Sequence, residues 1–195
     1  MKYCSHCGAP VKVRIPAGDN RPRHCCDACG TVHYRNPLIV TGCIAEWEGR
    51  ILLCRRAIRP RYGLWTLPAG FMENGETVQE GAARETREEA EAQVRIEALF
   101  TIFTLPHINQ VYMLFRGKLA EPKFGPTPET LEARLFDESA IPWQELAFPV
   151  VHESLRLFFR DSRNGAYAVH TGEIVREGED MRRYRVSLMA PADYC

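Results

Sequence analysis

The sequence predicts an α+β fold with a small cysteine-rich unit at its N-terminus. Three observations predict it: apolar, β-branched runs of strand length recur from residue 38 onward; two segments switch to helical periodicity; and five of the eight cysteines fall within the first 29 residues of the 195-residue chain. A chain of this length can bury one sizeable core and carry one small appendage. We expect three parts: 1–35 as a metal-binding ribbon, 36–162 as the main domain and 163–195 as a C-terminal extension.

The elements follow in order. Residues 1–35 are rich in Cys, Pro, Gly and Arg and short of large aliphatics, so they cannot form an apolar core of their own. LIVTGCIAEW, an EGR turn and ILLCRR then read as a hairpin. GLWTLPAGF is a short strand running into a Pro/Gly loop. Thr77 with Glu80 three positions later forms a capping box, which opens a helix over 77–91. VRIEALFTIFTL, NQVYMLFRGKLA and LEARLFD are further strands, the first two separated by a Pro-His-Ile turn. From Pro149 to about Arg160 the apolar residues suit a helix packed on the sheet, with Pro149 in its first turn. AYAVHTGEIV and MRRYRVSLMA read either as a hairpin around REGED or as a loose tail.

Composition narrows the function classes. Acidic and basic residues balance at 25 each, so no global field draws the chain to nucleic acid or a membrane surface, and any anion site must be local. No apolar run approaches the roughly 18 residues of a membrane span. We therefore expect a soluble cytoplasmic protein, with neither a membrane nor a nucleic acid as partner.

Two copies of C-x-x-C-G, Cys4/Cys7 and Cys26/Cys29, lie about twenty residues apart. Each can turn tightly at its glycine so that two thiolates converge, and four thiolates give the closed tetrahedral shell of structural zinc. Cys25 is an alternative to Cys26, and His6 and His24 are alternative ligands. A disulfide pair or a redox C-x-x-C explains the same cysteines.

The second constellation lies at 70–92. On a helix, Glu85, Glu88 and Glu89 share one patch, an arrangement that costs stability unless hard cations sit there. Arg84 stands four residues from both Glu80 and Glu88 and eight from Glu76, so it can brace carboxylates. A solvated charged face accounts for the helix equally well.

Gly70, Glu76, Arg84, Glu85, Glu88 and Glu89 match every charged or glycine position but one of G-x5-E-x7-R-E-U-x-E-E-x-G-U, where U is a bulky aliphatic, and so this stretch resembles the Nudix box. Thr86 and Ala92 depart at the U positions and Glu91 replaces the closing Gly. The resemblance extends over about 36–160, through Gly63-Leu64-Trp65 and Leu135-Phe136-Asp137, and the N-terminal zinc ribbon narrows it to dinucleotide-cleaving members. GLWTLPAGFMENGE, Leu131–Phe136 and Ile141-Pro142-Trp143 look most like the plant chloroplast FAD pyrophosphatases.

The resemblance implies a mixed sheet sandwiched between helices and a pyrophosphohydrolase that uses Mg2+ or Mn2+. It implies Glu85 and Glu89 as the main metal ligands, Glu88 as a ligand or water-activating base, and the Gly70 carbonyl as completing the shell. Glu129 and Glu132, before the later strand, are candidate bases. Arg55, Arg56, Arg59 and Arg61 can bind phosphate. Tyr62, Trp65, Phe71, Phe103 and Tyr112 can stack a flavin or adenine, although most suit the core, and Trp65 and Phe71 are expected beneath the box loop. NADH enzymes of the family bear an S-Q-P-W-P-F-P-x-S array that this chain lacks, and Pro106 falls close to where ADP-ribose enzymes place a proline. The expected substrates are FAD first and ADP-ribose second, with NADH or a dinucleoside polyphosphate as the alternative. A non-catalytic module whose ribbon binds nucleic acid is the rival class. Related enzymes also imply a homodimer.

Overall fold

The computed structural model describes residues 1–178 and 183–189, and the chain divides into two units, Met1–Pro37 and Leu38–Cys195. In the first unit, β1 (Val11–Arg14), β2 (Arg23–Cys26) and β3 (Val32–His33) form an antiparallel sheet in that order. The two cysteine knuckles have the same local geometry. The Gly8 N–H donates to the Cys4 carbonyl at 2.9 Å and the Gly30 N–H to the Cys26 carbonyl at 3.0 Å, with both glycines left-handed at φ +75° and +73°. Glycine takes that conformation at no steric cost, which is why each C-x-x-C is followed by one.

The second unit is built on β4 (Leu38–Trp47) and β5 (Arg50–Arg56). Glu48 and Gly49, both at positive φ, close their hairpin, and the strands pair at Trp47/Arg50 and Glu46/Ile51. Toward the other end they part. Into the gap goes the chain from β6 (Trp65–Thr66), which pairs with β5, to β7 (Ala69–Phe71), which pairs with β4. Gly42 makes the insertion possible, because a Cβ there would run into Ala69 and the Pro68 carbonyl. The simple hairpin expected from sequence is therefore a wedge that holds the box loop in the middle of the sheet.

Helix α1 (Val78–Ala90) starts at Thr77, whose hydroxyl accepts from the Glu80 N–H while the Glu80 carboxylate accepts from the Thr77 N–H, completing the capping box. It crosses β4 closely: Thr41 Oγ1 donates to the Val78 carbonyl at 2.7 Å, and a Cβ on Gly81 would stand 2.7 Å from Thr41 Cγ2. Thr86 is buried beneath it and satisfied by the Ala82 carbonyl at 2.8 Å, so the hydroxyl at an aliphatic position is accommodated by the helix itself.

The sheet continues with β8 (Val94–Leu105), β9 (Gln110–Leu119) and β10 (Thr130–Phe136). With β11 (His170–Arg176) and β12 (Tyr184–Leu188) its order is β10-β5-β4-β9-β8-β11-β12, with β4/β9 and β8/β11 parallel, so it is mixed. Helix α2 (Pro149–Asn164) runs a turn further than the sequence indicated and stops at Gly165 with φ +67°. It packs Val150, Val151, Leu155, Phe158 and Phe159 onto Ile44, Leu53, Phe100, Phe103 and Leu114.

The described part of the C-terminal stretch resolves the choice between hairpin and tail. β11 (His170–Arg176) joins the sheet beside β8, and β12 (Tyr184–Leu188) pairs antiparallel with β11. Buried Asp161 ties this hairpin to the end of α2, accepting from His170 Nε2 at 2.7 Å and the Ala168 N–H at 3.3 Å.

Two aromatic expectations are corrected. Phe103 is fully buried in the α2-side core, because its position on a central strand faces the helix, so it offers no face to a ligand. Trp65 packs beneath the loop as expected, edge-on to Phe136, but Phe71 is 51% exposed at the end of β7. Among the described residues no helix is long and apolar enough to cross a membrane.

Glu91 closes α1 in the left-handed conformation, φ 53° and ψ 23°, where a glycine would relieve the Cβ clash. Glu91→Gly should raise thermal stability by about 0.5–1 kcal/mol, the left-handed strain less the entropy of glycine, in denaturation followed by circular dichroism.

Candidate active site and metal centres

The sulfur atoms of Cys4, Cys7, Cys26 and Cys29 all lie within 4.8 Å of one another. Cys4–Cys29 and Cys7–Cys26 are 3.7 and 3.5 Å apart, too far for disulfides. A zinc ion with four sulfurs at about 2.3 Å sets them at the corners of a tetrahedron with edges of about 3.8 Å, so the cluster has the size of that shell. Cys25 is set aside by its direction: its thiol points at the Arg14 and Arg23 carbonyls. His6 and His24 are not in the cluster. His33, which the sequence did not single out, brings Nε2 to 3.3 Å from Cys4 Sγ. The Thr31 hydroxyl, 3.0 Å from Cys29 Sγ, lowers that thiol to about 6 and so favours the thiolate a metal requires.

The box residues gather where the wedge meets α1. Glu85 is buried with its carboxylate against the Cα of Gly70, where any Cβ would overlap its oxygens and push the carboxylate aside. One turn on, buried Glu89 accepts from the Ala69 N–H at 3.1 Å. The loop and the helix are therefore joined through the two carboxylates.

Arg84 holds the arrangement. Nε and Nη2 grip Glu76 at 3.0 and 2.9 Å, Nη1 reaches Glu85 at 2.8 Å and Glu88 at 3.0 Å, and Nη2 also donates to the Phe71 carbonyl at 3.0 Å. The grip on Glu76 is bidentate, the strongest form such a pair takes, and holds that carboxyl at about 2. Arg84 is itself pushed above its ordinary value by Glu76 first and by Glu85 and Glu88 after it. With its five contacts made, the guanidinium braces the site without a free edge for substrate.

The carboxylates at the loop outnumber the guanidiniums that act on them. Burial raises Glu85, with Arg84 opposing it, and burial pushes Glu89 up to about 8 against the Ala69 N–H, with Glu85 and Glu129 adding to the rise. Glu88 projects outward, its side chain 54% exposed. Apart from the cysteine cluster, no three His, Cys, Asp or Glu ligand atoms converge within 4.8 Å among the described residues. A site of this looser kind suits a hard divalent ion that keeps several waters.

The structure also separates the outer candidates. Glu129 precedes β10, is held by its carbonyl to the Ala57 N–H at 2.8 Å, and its charge acts on both Glu85 and Glu89. Glu132 sits in the strand opposite Arg55 instead. Arg56 acts on Glu89 and Tyr112; its Nε donates to the Pro60 carbonyl at 2.9 Å and its guanidinium lies 5.1 Å over the Phe148 ring. Arg55 is turned to the Gly63 carbonyl at 2.9 Å. Tyr62 is 61% exposed on the loop that also carries Arg59 and Arg61. Pro106 opens the turn between β8 and β9, beside β11. Sequence reasoning missed Phe148, the Ala69 amide and Thr41. Nothing in their residue types marks them, because each acts through a contact made only in the fold.

Two outcomes follow. One zinc should co-purify with each chain, and Cys26→Ser should lose it, as read by elemental analysis; a zinc-free, reduced protein would overturn the assignment. Glu89, raised from 4.5 to about 8, stabilises the folded chain fully below pH 4.5 and loses that contribution as pH rises through about 8. In magnesium-free buffer the melting temperature should therefore fall between pH 6 and pH 8.5, and added magnesium should raise it more at the higher pH. Glu89→Gln should flatten this dependence.

Comparisons with known proteins agree with this geometry. Residues 2–35 match the zinc-ribbon family described as Nudix N-terminal, and residues 36–160 match the NUDIX domain. The chain is 30% identical over 138 residues to an ADP-ribose pyrophosphatase of Methanocaldococcus jannaschii, covering 68% of this chain and 78% of that protein. It is also 30% identical over 161 residues to the NAD-capped RNA hydrolase NudC of Chromobacterium violaceum, covering 80% of this chain but only 57% of the relative. A crystal structure of a NUDIX hydrolase from Nitrosomonas europaea superposes with a TM-score of 0.88 at 54% identity, covering 90% of this chain and all of that one. An ADP-ribose pyrophosphatase structure from Streptococcus suis, at 23% identity and a TM-score of 0.59, shares the fold over 70% of this chain and 99% of that one. With the box residues assembled as the family pattern requires, the chain belongs to the Nudix hydrolases, pyrophosphatases acting on nucleotide diphosphate derivatives, and carries their N-terminal zinc ribbon.

Proposed function

We propose that this Nudix hydrolase cleaves the diphosphate of an adenosine-diphosphate derivative, ADP-ribose ahead of FAD, to AMP and the other phosphate half, using Mg2+ or Mn2+. The observation that carries the reading is the pair of buried carboxylates, Glu85 and Glu89, gathered against the Gly70 loop with too little positive charge to balance them. The sequence resemblance favours FAD. ADP-ribose moves ahead because the chain matches 78% of a relative described as an ADP-ribose pyrophosphatase, while no relative described above is one for FAD.

Glu85, Glu88 and Glu89, with the Gly70 carbonyl, would hold the divalent ion. When bound, it neutralises charge on the diphosphate oxygens and lowers the pKa of water. The chain's own groups do the rest. Arg84 keeps Glu85 and Glu88 in place, and Arg56 offers to a phosphate the guanidinium edge that has no hydrogen-bond partner among the described residues. Glu129, already close enough to act on the buried pair, accepts the proton of the attacking water as its oxygen bonds to phosphorus and the bridging P–O bond breaks.

A second reading, hydrolysis of NADH or of an NAD-capped RNA end, draws on the similarity to NudC. The missing S-Q-P-W-P-F-P-x-S array weighs against NADH. A binding module without catalysis is disfavoured because all four box glutamates are retained.

The test is a panel of ADP-ribose, FAD, NADH, diadenosine polyphosphate and NAD-capped RNA with magnesium. The highest kcat/KM should fall on ADP-ribose; a maximum on FAD reverses the order of the two, and one on NADH, a dinucleoside polyphosphate or NAD-capped RNA overturns the ranking altogether. Glu89→Gln and Glu129→Gln should each lower kcat by roughly 10²- to 10⁴-fold with the fold intact, whereas Glu132→Gln should stay within about twofold. An unchanged rate in Glu89→Gln would falsify the metal site.

A further inference from the structure

The C-terminal hairpin leaves β12 as the last strand of the sheet, with its outer side unpaired among the described residues. The bonds to β11 fix which backbone groups face outward. The Met189 N–H donates to the Thr171 carbonyl and the Glu177 N–H to the Arg183 carbonyl, so in this antiparallel register odd-numbered residues of β12 bond inward. Tyr184, Val186 and Leu188 consequently turn their N–H and carbonyl groups outward. An edge of this kind is a template for another strand. It is also apolar: Val186 is 36% exposed, Leu188 40% and Met189 48%.

A second copy of the same strand fits that edge. When β12 runs antiparallel to its copy with Val186 opposite Val186, Tyr184 falls opposite Leu188, and all three outward-facing residues pair at once. Up to about six backbone hydrogen bonds result. On that face the row Ile174-Val186 meets its own image, and Leu188 meets a tyrosine.

The opposite face supplies the charge argument. Glu173 on β11 is partly buried and, among the described residues, has no cation paired with it; its neighbour on β12 is small Ser187. The self-paired register sets Arg185 of the copy directly beyond Ser187, about 10 Å from Glu173 across two strand spacings, within the combined reach of the two side chains. Among the described residues of its own chain Arg185 has only a loose contact of 3.9 Å with exposed Glu177. A twofold axis forms the Glu173–Arg185 pair twice, and it sets no two like charges directly opposite each other.

We infer that the chain forms a homodimer through antiparallel pairing of β12 with β12 of a second copy about a twofold at Val186, joining the two sheets into one. This surface is separate from the box glutamates, so the dimer stands or falls independently of the substrate.

Sedimentation equilibrium of the full chain at tens of micromolar tests it. The expected mass is twice 22.2 kDa. Val186→Lys places two lysines face to face at the axis and should give monomer with an unchanged circular dichroism spectrum. Arg185→Glu should weaken the dimer at least tenfold, and Glu173→Arg combined with Arg185→Glu should restore it. A monomeric wild type, a Val186→Lys protein that stays dimeric, or a double variant no better than Arg185→Glu overturns the proposal.

Discussion

One guanidinium sets the geometry on which the site depends. Arg84 is nearly buried, with 15% of its side chain exposed, and its contacts tie three glutamates of the box to the loop that β6 and β7 insert between β4 and β5. Its charge is not available to substrate. It lets the carboxylates of Glu76, Glu85 and Glu88 approach one another. Glu76, which takes the bidentate grip, is the counterweight: it fixes the fork so that Nη1 is shared between Glu85 and Glu88. A lysine at 84 would supply the charge without the fork.

The inserted loop is the second constraint, and it explains the pattern of small residues around the site. Gly42 lets Pro68 and Ala69 enter the sheet, Gly70 admits the Glu85 carboxylate and Gly81 lets α1 approach Thr41. Each is a place where two elements come closer than a methyl group allows. Packing there leaves the loop little freedom, which keeps the Ala69 amide and the Gly70 carbonyl at fixed positions relative to α1. Rigid support of this sort is what a centre for phosphoryl chemistry needs.

Much of this was legible in the sequence. Helix α1 and its capping box, the strands from β4 to β10 and the two pairs of cysteines follow from periodicity and spacing, which are local properties. The parting of β4 from β5 was not legible, because both strands read as ordinary hairpin partners and only the tertiary insertion of residues 65–71 separates them. Phe103 was ambiguous for a related reason: an aromatic on an apolar strand looks the same whether it faces a helix or a ligand. Glu129 and Glu132 differ by three residues and have the same chemistry. Only the position of β10 against β5 sends one toward the carboxylates and the other into the strand.

The two ligand sets in this chain also differ in kind. The ribbon offers four polarizable sulfurs at a fixed tetrahedral spacing, and the helix offers oxygens that are loosely spread. Soft thiolates select zinc, whereas carboxylates and carbonyls suit ions that hold their water tightly. Zinc outcompetes magnesium for nearly any protein ligand, so a carboxylate site alone would be open to the wrong ion. Each set of ligands must therefore discriminate by itself: the ribbon by a closed shell of sulfur, the helix by spread oxygens that leave a small hard ion room for its water.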